Sequence, residues 1–252
     1  MNTLKPIPIP AFADNYIWLA ANEHGAMCVD PGDAVPVMAW LDEHRLPLQQ
    51  IWLTHHHNDH IGGVADLKAA YPEVRVYGAA NEIAEVTDPV AEGSRLAFGG
   101  HTAEVWAVPG HTAGHLAYLW HLPQGLQVFC GDTLFSAGCG RVFTGTPQQL
   151  FASLGRLAAL PDDSLFYPAH EYTAANLRFA AHIDPDNADV IRAQADTHIP
   201  TLPVSLQHEK AVNPFLRTAL PQVQARVAEL ASGGLAGEVE VFRAMRELKN
   251  HF

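Results

Sequence analysis

The chain has 252 residues, 48% of them hydrophobic, and a mean hydropathy near zero, which suits a soluble globular protein with a large core. A formal net charge of −12 argues against a nucleic-acid partner, whose binders carry basic patches, and no apolar run reaches the ~20 residues of a membrane helix. Cys28, Cys130 and Cys139 are odd in number and irregularly spaced, which fits reduced thiols and not a disulfide framework. The first ten residues carry Pro6, Pro8 and Pro10 and no long apolar stretch, unlike a secretory signal; a cytoplasmic location is the expectation.

In chain order, residues 15–20 and 26–29 read as strands around the turn Asn22-Glu23-His24-Gly25. Asp33 is placed to cap a helix over 35–45. Asp30, at the end of the second strand, suits either an outer carboxylate orienting a ligand histidine or an ordinary turn residue. Strand 51–54, helix 64–71, strand 74–77 and a short helix over 79–86 follow. Residues 103–108, 116–120 and 127–130 read as strands, the last two as a hairpin across Pro123-Gln124-Gly125. Thr146-Pro147 is a cap and first-turn proline for a helix to 160, and 164–167 is one more strand. Beyond His170 strand signals nearly vanish: helices are expected at 173–183, 187–198, 221–231 and 237–249, with 199–214 broken by prolines. The reading is an α/β domain over 1–172 and a helical domain over 173–252.

The chemistry-bearing stretch is Thr54-His55-His56-His57-Asn58-Asp59-His60. It follows an apolar strand and precedes a helix, where α/β sheets gather ligands. In extended chain, side chains two apart share a face, so His55 and His57 point together and His56 points away. Neutral imidazole and carboxylate are common ligands of divalent transition ions. His111, Asp132 and His170 also stand just past strands. Five histidines and two aspartates exceed one four-coordinate zinc with an open position, but suit two ions sharing a carboxylate, which can polarise a carbonyl and lower the pKa of water from ~15.7 to ~7. Metal-assisted hydrolysis is the reading; no Gly-x-Ser-x-Gly elbow supports a serine alternative.

These motifs, with Pro109-Gly110-His111-Thr112, Gly131-Asp132-Thr133-Leu134-Phe135 and Ala169-His170-Glu171-Tyr172-Thr173, resemble the metallo-β-lactamase superfamily. Within it, Ala137-Gly138-Cys139-Gly140-Arg141 and Arg246-Glu247-Leu248-Lys249 make the chain similar to the glyoxalase II family. The resemblance implies an αββα sandwich with a C-terminal all-helical domain and a dinuclear site. It assigns His55, His57 and His111 to one ion and Asp59, His60 and His170 to the other, with Asp132 bridging. His56 and His115 match non-ligand positions. The implied ions are zinc, with iron or manganese as substitutes. The implied reaction is attack of a bridging hydroxide, oriented by Asp59, on the thioester of S-lactoylglutathione, the second step of methylglyoxal detoxification, in a monomer.

Glutathione contacts are carried over to Arg141, Phe143, Tyr172, Arg246 and Lys249. Arg243, Arg246 and Lys249 recur every three residues on the last helix, near one face. That suits either a basic patch for tripeptide carboxylates or a solvated face favoured by the helix dipole. Phe143 stands where many relatives have Tyr, and Thr144 where Glu is usual. A persulfide dioxygenase or a lactonase of the same superfamily is the alternative, and the helical tail weighs against both.

Overall fold

A computed structural model describes residues 4–196 and 198–252. The chain divides into two compact units: residues through 107 with 114–131 and 167–170, and residues 108–113 with 132–166 and 171–252.

The first unit begins with β1 (Ile7–Ala11), β2 (Asn15–Asn22) and β3 (Gly25–Val29), an antiparallel meander. Helix α1 (Ala34–His44) is capped by Asp33, whose carboxylate accepts from Val35 N. β4 (Leu48–Trp52) then joins β3 in parallel. Helices α2 (Asn58–Ile61) and α3 (Val64–Ala70) lead to β5 (Arg75–Gly78) and β6 (Asp88–Pro89), which extend the parallel edge. A second sheet is built from β7 (Arg95–Phe98), β8 (His101–Ala107), β9 (Leu116–Leu122) and β10 (Gly125–Gly131), all antiparallel.

Strand alternation sorts the first sheet's side chains. Ile17, Leu19, Ile51 and Val76 join Val37 and Leu41 of α1 and Val64 and Leu67 of α3 in one core cluster. Trp52, on the opposite face, meets Tyr118, Trp120 and Phe129 of the second sheet at ring distances of 5.2, 6.0 and 6.1 Å. Burying such rings supplies ~2 kcal/mol or more each.

The second unit holds the short hairpin β11 (Leu134–Phe135) and β12 (Gly138–Cys139). Helix α4 (Pro147–Ala158) starts at a complete capping box, with Thr146 and Gln149 bonding each other's backbone. β13 (Leu165–Pro168) straddles the division; Leu165 and Phe166 pair with β14 (Val204–Ser205). The remainder is α5 (Thr173–Ile183), α6 (Ala188–Gln194), α7 (Leu206–Val212), a 3₁₀ turn at Pro214–Leu216, α8 (Pro221–Leu230) and α9 (Glu238–Asn250). Ala137, Leu177, Ala180, Val190 and Val212 form a core of this unit, and Phe151 of α4 packs on Phe242 of α9.

Most expected elements stand within a few residues of their places; the misses have physical reasons. Residues 79–86 make turns rather than a helix. β1 escaped notice because Pro8 and Pro10 lie in it, but it is an edge strand, where missing N–H groups cost little. In the proline-broken 199–214 stretch, Ser205 caps α7 by accepting from His208 N. The helix expected over 187–198 ends at Gln194, and Thr197 lies outside the described residues.

Candidate metal centre

The ligand-bearing loops of the first unit leave the carboxyl ends of parallel strands. Asp30 follows β3 and the histidine run follows β4. Asp30 sits in the left-handed region at φ 53, and its buried carboxylate accepts from Thr54 N at 2.8 Å and Thr54 Oγ1 at 2.6 Å. The same carboxylate lies 3.0 Å from His60 Nδ1. Asp30 therefore touches a candidate ligand histidine, the contact that the first of its two readings calls for. Gly131 approaches this loop so closely that a Cβ would sit 2.4 Å from Thr54 Oγ1, and its φ is +48; only glycine meets both demands.

In the first unit His55, His60 and His170 each set one ring nitrogen against an oxygen and turn the other toward a neighbouring donor. His55 Nδ1 lies 3.0 Å from Thr54 Oγ1, while its Nε2 lies 3.0 Å from His57 Nδ1. His170 Nδ1 is 2.8 Å from Asp14 Oδ1, and its Nε2 is 3.3 Å from Asp59 Oδ2. His60 Nε2 is 3.5 Å from the same oxygen. Asp59, His60 and His170 therefore offer ligand atoms within 4.8 Å of one another, as do Asp30, His55 and His60. Hydrogen bonding with His170, aided by the charge of His60, holds the Asp59 carboxyl well below the usual carboxylate range despite the opposing effect of burial. His56 turns away to Glu82, 2.9 Å distant, and His115 stacks on His55 at 4.7 Å.

The second unit carries the other two candidates. His111 Nδ1 lies 2.7 Å from the carbonyl oxygen of Arg141, and His111 Nε2 lies 3.5 Å from Asp132 Oδ2. Gly140 is required here as well, since a Cβ would meet Asp132 O at 2.0 Å and His111 Nδ1 at 3.0 Å.

This donor set fits metal. Two ligands ~2.0–2.1 Å from one tetrahedral ion lie roughly 3.3 Å apart, and the inner donor pairs stand at 3.0, 3.3, 3.5 and 3.5 Å. An oxygen anchor on the outer nitrogen favours the tautomer whose inner lone pair is free to ligate a metal.

Candidate substrate residues also fall in the second unit. Arg141 is exposed, and its neighbour Phe143 is an exposed ring 5.2 Å from that of His111. Thr144 Oγ1 accepts from Ala113 N, so it has a structural use in this chain. Tyr172 meets Phe135 edge-on at 5.1 Å. Arg246 is buried; its Nη1 donates to Cys139 O at 2.8 Å. Lys249 lies over the rings of Phe179 and Phe252, and burial, then Arg246 and Arg178, lower its pKa to about 8. Arg243 is exposed and lies 3.8 Å from Glu240. The three cations do not share one solvated face.

Sequence reasoning missed the contacts of Asp14 and of Asn15, the first residue of an expected strand, and the buried pair Glu209 and Asn213. Glu209 accepts from Ser136 Oγ, Ala137 N and Asn213 Nδ2. Asn213 in turn donates to Gly138 O at 2.8 Å. Together they brace the β11–β12 hairpin, and burial lifts the Glu209 carboxyl to about 7. Their only sequence signal is the i, i+4 spacing of two polar residues in a proline-broken stretch.

Residues 12–170 match the family model of the metallo-beta-lactamase superfamily, and residues 171–252 match that of the hydroxyacylglutathione hydrolase C-terminus. A hydroxyacylglutathione hydrolase of Neisseria gonorrhoeae is 53% identical over 250 residues, covering 99% of this chain and 100% of the relative. One from Vibrio parahaemolyticus is 48% identical, covering 97% and 98%. Among solved structures, ETHE1 of Myxococcus xanthus is 25% identical with TM-score 0.66, covering 97% of this chain and 90% of its own. TTHA1623, crystallised in a di-iron-bound form, is 29% identical with TM-score 0.60, covering 84% and 100%.

Proposed function

The chain belongs to the hydroxyacylglutathione hydrolase family of the metallo-β-lactamase superfamily, and from that premise we propose that it cleaves S-lactoylglutathione, and S-(2-hydroxyacyl)glutathiones generally, to the 2-hydroxy acid and glutathione. The observation that carries this reading is the anchored imidazole set, whose inner nitrogens and carboxylates stand at metal-ligand spacing. His55, His57 and His111 are assigned to one ion, Asp59, His60 and His170 to the second, and Asp132 to both. Two divalent ions, zinc in this proposal and iron or manganese as substitutes, would lower the pKa of water to ~7 and polarise the thioester carbonyl.

The chain's own residues supply the rest. Asp59, held ionised, orients the attacking oxygen. Arg141, Phe143, Tyr172, Arg246 and Lys249 receive the tripeptide; the last two lie in 173–252, proposed as a helical substrate-binding domain, with 1–172 proposed as the metal-binding domain. With a net charge of −12, the protein's long-range field repels an anionic thioester, so these local cations are needed for capture. An ordinary thiol has a pKa of ~8.5, so glutathione leaves as thiolate and no acid group has to protonate it. No helix of the described residues is long and apolar enough to cross a membrane, and a cytoplasmic monomer is proposed. The dioxygenase and lactonase alternatives are not favoured, because the C-terminal family match covers the whole helical tail.

The test is loss of thioester absorbance with S-lactoylglutathione, with metal counted on the same sample. Turnover with two ions per chain is expected, and Asp132→Ala should lower kcat by ~10³-fold or more and loosen both ions. Two bound ions without turnover would assign the centre to another hydrolysis; full activity in Asp132→Ala would remove the dinuclear assignment.

A further inference from the structure

The turn between β1 and β2 stands directly behind two candidate ligands. Asp14 Oδ1 lies 2.8 Å from His170 Nδ1. Asn15 Nδ2 donates to Asp59 Oδ2 at 3.1 Å and lies 3.5 Å from the Asp59 carbonyl oxygen. Backbone pairing fixes the turn in place. Ala11 pairs with Asn15, Asn15 forms an isolated bridge with His170, and Tyr16 N donates to Ala169 O at 2.7 Å. Between these ties Phe12 is held at φ 51, and the residue is 60% exposed. A left-handed non-glycine residue costs ~1–3 kcal/mol and persists only where its surroundings impose it.

The two side chains do complementary work. A carboxylate that accepts from Nδ1–H leaves the Nε2 lone pair of His170 directed inward and raises its basicity. The Asn15 amide occupies one lone pair of Asp59 Oδ2 and so limits rotation of that carboxylate. Asn15 is 7% exposed, so its amide has few other partners. Asp30 differs, because it touches both His60 and the Thr54 that anchors His55, and so serves ligands assigned to different ions. Of the candidate ligands among the described residues, the Asp14 and Asn15 side chains touch Asp59 and His170, Asn15 Nδ2 lying 3.5 Å from His170 Nε2.

We propose that Asp14 and Asn15 are positioning residues that set how tightly one of the two ions is held, leaving the other untouched. This rests on the dinuclear reading above. The test loads wild-type protein, Asp14→Ala, Asp14→Asn and Asn15→Ala with zinc and extracts the metal with a chromophoric chelator, counting each equivalent released. Asp14→Ala and Asn15→Ala should each release one equivalent at a 10- to 100-fold lower chelator concentration, while the second is released within twofold of wild type. Asp14→Asn keeps an oxygen acceptor for Nδ1–H and should recover most of the loss, which a purely structural role would not give. The Asp14 side chain is 38% exposed, so its truncation leaves the fold intact, as thermal unfolding would check. Equal loosening of both equivalents, or no loosening, overturns the assignment. A wild-type protein that holds one zinc overturns the dinuclear reading and this assignment together; two zincs in wild type with unaltered variants overturn this assignment alone.

Discussion

The candidate ligands of the two units are braced by different kinds of partner. In the first unit, His60 and His170 rest on the side-chain carboxylates of Asp30 and Asp14, which lie 30 and 156 residues away in the chain. In the second, His111 rests on the main-chain carbonyl of Arg141. A carboxylate anchor is charged and strengthens the imidazole as a donor. A carbonyl anchor is neutral, but this one belongs to the loop that presents Arg141 and Phe143. On the proposed assignment, the first arrangement would hold metal independently of substrate. The second would make the position of a candidate ligand and of the proposed substrate contacts properties of one loop, whose neighbouring hairpin Glu209 and Asn213 brace.

The largest expected effect would break the first arrangement. Asp30→Ala strands three buried donors or ring nitrogens, at Thr54 N, Thr54 Oγ1 and His60 Nδ1. Each buried unsatisfied group costs ~1–3 kcal/mol, so about 3–9 kcal/mol of stability should be lost, with metal affinity falling ~10- to 100-fold. Urea unfolding and metal retention would measure both. KM for the thioester on fully loaded enzyme should stay within about twofold; a large rise would mean that metal and substrate binding are coupled in the first unit as well.

The candidate ligands on both sides of this contrast were legible in the sequence, and the reasons are specific. His55, His57, Asp59 and His60 are neighbours in the chain, so strand periodicity and the following helix sufficed to group them. His111, Asp132 and His170 were recoverable because each follows a strand that pattern reasoning could see. The anchors were less accessible. Asp30 was readable as one of two possibilities because it ends a strand, whereas Asp14 and Glu209 act across 156 and 73 residues, and no local spacing encodes such pairs. The tail illustrates the opposite limit. Its three-residue spacing suggested one face, but a step of three on a 3.6-residue turn drifts, and packing put Arg246 inside and Arg243 outside.

A smaller effect would sharpen the role of the second unit's brace. Burial raises Glu209 from 4.5 to about 7, so the folded chain binds its proton more tightly than the unfolded chain. Its contribution is fully present below pH 4.5 and drains away as the pH rises to about 7, by roughly 3 kcal/mol in all. Subtracting urea-unfolding curves of Glu209→Gln from those of wild type should expose this slope, with a flat difference above pH 7. Metal retention should not change. A pH-independent difference would mean that the carboxyl keeps an ordinary affinity for its proton despite burial.

The smallest effect concerns capture of substrate. Lys249 is lowered to about 8 by burial and by Arg246 and Arg178, so it is charged below that pH and neutral above it. The ratio kcat/KM reports the free enzyme and should fall as the pH rises through about 8, while kcat holds. Lys249→Met should raise KM by ~10-fold at pH 7, in line with ~1.5 kcal/mol for a hydrogen bond to a charged group, and should remove the pH 8 limb. Arg246→Ala makes an instructive partner, because Arg246 also donates to Cys139 O beside Gly140; it should raise KM and lower stability together. If Lys249→Met kept both its KM and the pH 8 limb, capture of the tripeptide would rest on Arg141 and Arg246, and the aromatic seat of Lys249 would be a packing feature of the last helix.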